Sequence, residues 1–245
     1  MQTFRADLHL HTVLSPCGDV SMSPAGIVAE SLDKGLSIIG ITDHNSTRQC
    51  RIVTELAEEK GLYVLPGVEL TTREEVHLLA YFDSLEGAES FQRWIDAHLQ
   101  VIKNKPEFFG YQVVVDRDEQ VVYEEERLLI AALDADIHET AAAVIGYNGM
   151  VICAHVDKGK NSLFSQLGIM PEGLEVDALE VAAAANMSRI TGRYPEASES
   201  PFVCSSDAHY AEDIAKVTTS FAMAKPDFQE IRLALAGRDG RGVSL

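Results

Sequence analysis

What constrains this chain most is a repeated event: a short, almost uninterrupted apolar run stops on a histidine, an aspartate or a glutamate. Residues 38–42 run into Asp43 and His44, 64–68 into Glu69, 150–154 into His155, and 202–206 into Asp207 and His209. Apolar runs of that length read as strands buried on both faces, as in parallel sheets. A parallel sheet gathers the C-terminal ends of its strands on one rim, where ligands and catalytic groups collect. The strands expected are 3–10, 37–42, 63–69, 76–82, 150–155, 178–181, 202–205 and 217–222, most of them separated by helical patterns. That alternation is the signature of βα units, so an α/β fold is expected.

The helices carry their own punctuation. Ser23 is placed to cap a helix with Pro24 in its first turn and Gly35 as its stop, residues 47–60 repeat the device before Gly61, and Pro226 opens a third helix with Phe228, Ile231 and Leu235 on one face. From about 84 to 147 the rhythm breaks: an amphipathic stretch at 91–103, a strand pair around 116–120 and a helix near 124–133 are expected. We read this as an insertion in a single domain spanning 1–245, either capping one end of the sheet or packed as a surface elaboration.

Charge narrows the partners. The chain has 20 Lys and Arg against 38 Asp and Glu, a net charge of −18, which disfavours a grip on long duplex nucleic acid or an anionic membrane. Its start lacks a basic stretch followed by an apolar core, and no segment approaches the roughly 18 apolar residues of a membrane span, so a cytoplasmic protein is expected. Cys17, Cys50, Cys153 and Cys204 lack CxxC spacing, which points to neither a disulfide framework nor a zinc knuckle.

Six of the eight histidines lie in or just after an expected strand; His98 and His138 do not and are read as ordinary residues. In Asp7-Leu8-His9-Leu10-His11 the polar residues recur at every second position, so on an extended chain they share one face. Two imidazoles with a carboxylate behind them make half of a metal site. Alone, this pattern also fits a half-exposed edge strand, and His77 at the start of 76–82 also fits a hydrogen-bonded core residue. The other convergent groups favour ligands.

The set Asp7-Leu8-His9-Leu10-His11-Thr12, Thr42-Asp43-His44-Asn45, Pro66-Gly67-Val68-Glu69, Ala154-His155 and Ser206-Asp207-Ala208-His209 resembles the PHP (polymerase and histidinol phosphatase) family of metal-dependent phosphoesterases. The resemblance implies a distorted (β/α)7 barrel with two to three divalent ions at the C-terminal rim. It implies one ion on His9, His11, Glu69 and Asp207, a second sharing Glu69 with His77 and His155, and a third on His44, His209 and an acid from the first loop. Many members read Ser-Asp-Gly in that loop, whereas this chain reads Ser15-Pro16-Cys17-Gly18-Asp19. Asp19 is the expected ligand and Cys17 the alternative. Zn, Mn and Fe all suit the donors.

The chemistry expected is hydrolysis of a small phosphate ester by a metal-bridging hydroxide, with Glu69 as the bridge and Asp207 or His209 handling the leaving-group proton. Asp7 and Asp43 are expected behind the ligands, and Lys158, Lys160 and Arg48 are candidate phosphate contacts. Alternatives are a phosphodiesterase or exonuclease on short oligonucleotides and a non-catalytic metal-binding accessory barrel. A hydrolase of carbon–nitrogen bonds is more remote.

Overall fold

The computed structural model describes residues 1–245. Its strands are β1 (Gln2–Leu10), β2 (Ile38–Ile41), β3 (Tyr63–Thr71), β4 (His77–Tyr81), β5 (Val113–Val115), β6 (Val121–Glu124), β7 (Met150–Cys153), β8 (Ala178–Val181), β9 (Phe202–Cys204), β10 (Thr219–Met223) and β11 (Gly242–Ser244). Nine of them form one sheet in the order β11-β10-β1-β2-β3-β4-β7-β8-β9, and β5 and β6 form a separate ribbon. The sheet nearly closes where the chain just after β9 meets the end of β1: His11 N–H donates to the Ala208 carbonyl at 3.0 Å and Ala208 N–H to the His9 carbonyl at 3.2 Å. The result is a distorted, nearly closed α/β barrel.

Both faces of the strands are buried, which is why their sequences do not alternate. Ile38, Leu65, Leu79, Ile152, Ala178 and Val203 join Leu8 in one apolar cluster, on which Phe228, Ile231 and Leu235 of helix Phe228–Leu235 pack. Their chain neighbours turn the other way. Ile39 and Val64 pack with Val28 of helix Pro24–Asp33 and Val53 of helix Cys50–Glu58. Leu78, Val151, Leu179 and Phe202 enter a third cluster. Ser23 caps its helix by accepting from Gly26 N–H, and Asp227, not Pro226, caps the C-terminal one.

The sheet is mixed, a departure from the parallel order expected. β1, β2 and β3 run parallel, as do β7, β8 and β9, but β4 is antiparallel to both β3 and β7, and β10 is antiparallel to β1. Residues 72–76 are too few for a parallel crossover, which needs a dozen or more. The hairpin has a functional consequence: His77, first in β4, pairs with Thr71, last in β3. A histidine at the start of a strand thereby reaches the rim formed by the ends of the others.

Segment 84–147 departs further. Its first helix is Leu85–His98, capped by Ser84, and stops short of the expected 103. β5 and β6 flank a turn in which Asp116 Oδ1 accepts from Asp118 N–H and Gln120 N–H. The helix expected near 124–133 is absent; one forms at Ile137–Gly146, where Asp136 and Glu139 make a reciprocal capping box. Side chains instead satisfy the irregular stretch before it: Gln112 donates to the carbonyls of Glu125 and Arg127, and Asn45 to those of Leu129 and Ala131. No helix is long and apolar enough to cross a membrane.

Candidate metal centre

The strand ends bring His9, His11, His44, Glu69, His77, His155, Asp207 and His209 together. Glu69 is at the centre of the group. Its Oε1 lies 2.7 Å from His77 Nδ1, 3.2 Å from His155 Nε2 and 3.4 Å from His9 Nε2, and its Oε2 lies 3.1 Å from His44 Nδ1 and 3.3 Å from His11 Nε2. Asp207 Oδ1 closes the other side at 3.4 Å from His9 Nε2 and 3.2 Å from His11 Nε2. The pocket of about 230 Å³ that opens over these groups has no apolar lining residue and includes Lys158, Lys160 and Asn161.

Hydrogen bonds set which nitrogen each ring presents. His9 Nδ1 donates to Glu180 Oε2 at 3.0 Å, and the same oxygen accepts from His155 N–H at 2.9 Å. His11 Nδ1 faces Ser15 Oγ at 2.9 Å, and Ser15 donates to Asp43 Oδ1 at 2.7 Å. Asp43 also takes the Thr12 N–H and hydroxyl, each at 2.7 Å. It therefore holds His11 through Ser15, as a carboxylate behind a ligand should. Asp7 does something else: it accepts from Ser206 N–H and hydroxyl and from Ala215 N–H, anchoring the turn that leads into Asp207 and orienting no imidazole. Backbone strain collects here too, with Asn45, His155 and Asp207 at φ of 45°, 29° and 54°, conformations that cost about 1–3 kcal/mol each for residues other than glycine.

The donor set fits divalent cations. His9 Nε2 and His11 Nε2 face each other at 3.2 Å, a spacing at which two imidazoles share a proton or a cation. His44 Nδ1 is buried and forms no hydrogen bond despite its closeness to Glu69, and His155 Nδ1 is likewise unpartnered. Burial opposes charge on His9 and His11, yet Glu180, Asp207 and Glu69 outweigh it at His9, holding it well above the usual imidazole range, and Asp207 and Glu69 push His11 up to about 9. Burial also opposes charge on Glu69, and the surrounding imidazoles nonetheless hold its carboxyl well below the usual range. The carboxylates thus hold positive charge in place, and an entering cation displaces those protons. Three overlapping groups have ligand atoms mutually within 4.8 Å: His9, His11 and Glu69; His44, Glu69 and His77; and His11, Cys17, His44 and His209.

Two further expectations need correction. Asp19 is partly buried and its carboxylate caps a short turn through Ser21 N–H, so it is not among these groups; Cys17 stands where it was expected. Arg48 is tied to Asp96 at 2.9 Å and lies over the Tyr123 ring, away from the pocket. His98 and His138 stay outside, as expected, His98 stacking on Trp94. Sequence reasoning missed Glu180, although a lone carboxylate inside the buried run 178–181 was its signal. It also missed Arg189 and Arg193, one helical turn apart in Met187–Arg193. They line a second cavity, of about 410 Å³, that shares Lys158 with the first. Arg189 donates only to the Asp157 carbonyl and Arg193 lies over Tyr194, so neither charge is neutralised by a carboxylate.

Comparison with known proteins places this arrangement. The PHP domain model matches residues 7–166 and the PHP-associated model residues 191–238. The YqxK protein of Bacillus subtilis is 24% identical over 99% of this chain, which spans 64% of it. The lesion-specific endonuclease Q of Pyrococcus furiosus superposes with a TM-score of 0.75 at 19% identity over the whole chain, which covers 58% of that enzyme. A Bifidobacterium adolescentis protein provisionally assigned as a metal-dependent phosphoesterase superposes with a TM-score of 0.62 at 23% identity, covering 98% of this chain and 97% of that one. The chain thus spans under two thirds of the first two. With the motifs of 7–166 matched and the same barrel beneath them, the chain belongs to the PHP domain family and has its metal-dependent hydrolase fold.

Proposed function

We propose that this protein is a metal-dependent phosphoesterase that hydrolyses a small phosphate ester at the barrel rim. The observation that carries the reading is Glu69, one carboxylate facing five imidazole nitrogens at 2.7–3.4 Å. His9, His11, Glu69 and Asp207 would hold one divalent ion, Glu69, His77 and His155 a second, and His44 and His209 take part in a third; Zn, Mn and Fe suit the nitrogen and oxygen donors. Bound ions of this kind acidify water and offset the charge of a phosphate under attack.

The chain's own residues then divide the remaining work. Glu180 and the Asp43–Ser15 pair keep His9 and His11 in one orientation with Nε2 turned inward. Lys158 donates to Asp207 Oδ2 at the mouth of the pocket, where its ammonium can hold phosphate oxygens, and Lys160 lines the same opening. Burial opposes the charge on Lys158, and Asp207 more than restores it. His209 cannot serve as both ligand and proton donor: its Nδ1 donates to the Asp207 carbonyl at 2.8 Å, leaving one nitrogen. We therefore assign His209 to a cation, and the leaving-group proton to the Lys158–Asp207 pair.

A nuclease is the second reading, favoured by the likeness to endonuclease Q, another structure of which is a complex with a 27-mer duplex carrying an abasic lesion at the active site. The net charge of −18 weighs against it. Protein stripped with chelator and reloaded with Mn or Zn separates the readings when offered phosphate monoesters, diesters and an abasic duplex. Metal-dependent turnover of monoesters is expected. Cleavage of the duplex alone would replace this reading with the nuclease, and stoichiometric metal without turnover of any substrate would leave an accessory barrel.

A further inference from the structure

The first loop holds a thiol where an acid was expected. Cys17 is the one cysteine not buried, and its Sγ and a ring nitrogen each from His11, His44 and His209 lie within 4.8 Å of one another. The loop is held from several sides. Gly18 N–H donates to the Ser15 carbonyl at 2.8 Å and Asp19 N–H to the His209 carbonyl at 2.9 Å. A β-carbon at Gly18 would run into the Thr12 carbonyl oxygen, so only glycine lets the chain fold back directly after Cys17. Gly110 of the inserted segment, at φ 91°, presses against the Pro16 carbonyl from outside, where a β-carbon would lie 2.5 Å from its oxygen.

A second observation points to a ligand here. His44 Nδ1 is a buried nitrogen with no hydrogen-bond partner, 3.1 Å from Glu69 Oε2, on a residue only 7% exposed that also groups with Cys17 and His209. His209 uses Nδ1 on a backbone carbonyl, so it has Nε2 to offer, whereas His11 Nε2 faces His9, Glu69 and Asp207. Around a tetrahedral zinc with bonds of about 2.0–2.3 Å, donor atoms lie roughly 3.3–3.8 Å apart, and the four candidate donors here all lie within 4.8 Å of one another.

We propose that Cys17 is a metal ligand, forming with His44 and His209 a thiolate-bearing cation site that prefers zinc to manganese. The inference rests on the proposed metal centre and adds to it the identity of one donor. The thiol proton leaves to solvent as the ion binds. Thiolate is a soft donor, and adding it to the surrounding imidazoles strengthens the preference for zinc over manganese.

Cobalt(II) tests this without any assay of activity. Chelator-stripped protein titrated with Co(II) should develop both the visible bands of the bound ion and a near-ultraviolet sulfur-to-cobalt charge-transfer band. Cys17→Ser should lose the second and keep visible bands from the remaining sites. In parallel, zinc should block iodoacetamide labelling of Cys17, mapped by mass spectrometry, while an equal concentration of manganese blocks it less. Cobalt that binds without the sulfur band, with Cys17 labelled equally fast in zinc, would overturn the assignment and leave the metal centre standing. Failure to bind cobalt at all would overturn the centre itself and the assignment with it.

Discussion

At the barrel rim, a side chain's position follows from the strand that carries it: His9 and His11 leave β1, Glu69 sits near the end of β3, His155 follows β7 and Asp207 follows β9. In the segment 84–147, position follows from what packs nearby. There Arg127 bridges Asp96 and Glu125, Asp96 also takes Arg48, and Gln112 and Asn45 satisfy backbone that has no regular partner. Both regions are dense in charge, but the rim's charges are buried against one another around an inward-facing cluster, whereas the insertion's are half-exposed pairs that fasten one loop to another. The first arrangement stores a demand for cations; the second only holds chain together.

Substitutions can break that contrast. Among side chains behind or beyond the ligands, deepest should be Glu180→Gln, which weakens the acceptor behind His9 and the N–H of His155; loss of such a partner lowers metal affinity or activity by about 10–100-fold, read by metal titration. Next comes the joint change Arg189→Ala and Arg193→Ala. Each charge-assisted contact is worth about 1.5–3 kcal/mol, so KM for a substrate reaching the second cavity should rise roughly tenfold or more, with metal content unchanged; an unaltered KM would remove that cavity from substrate binding. Smallest is Asp136→Ala in the insertion. It breaks the capping box with Glu139 and should cost about 1 kcal/mol of stability, a fall in Tm of about 2–4 °C, with kinetics untouched. A large loss of activity there would show that the insertion shapes the site.

Why the rim was legible and the insertion was not follows from the same contrast. Periodicity reports burial, and strands buried on both faces, such as Ile38 and Ile39 turned to opposite clusters, write themselves as apolar runs with polar ends. His77 was harder, because its place depends on the antiparallel turn at 72–76, a local accident of loop length. Glu180 was hidden because it reads as an interruption of a strand until the histidine it serves, 171 residues away in sequence, folds against it. Asp19 misled because loop spacing does not fix direction: its carboxylate satisfies its own turn, and the neighbouring Cys17 faces the histidines. The helix set at 124–133 failed because the capping pair Asp136 and Glu139, not apolar spacing, decides where that helix starts.

The central claim is that Glu69 organises a multi-ion hydrolytic site, and its most direct test is bound metal and phosphatase activity measured together in Glu69→Gln. Metal content should fall and activity should vanish while circular dichroism and the melting transition show a folded protein. A folded Glu69→Gln protein with its full complement of metal and full turnover would contradict it.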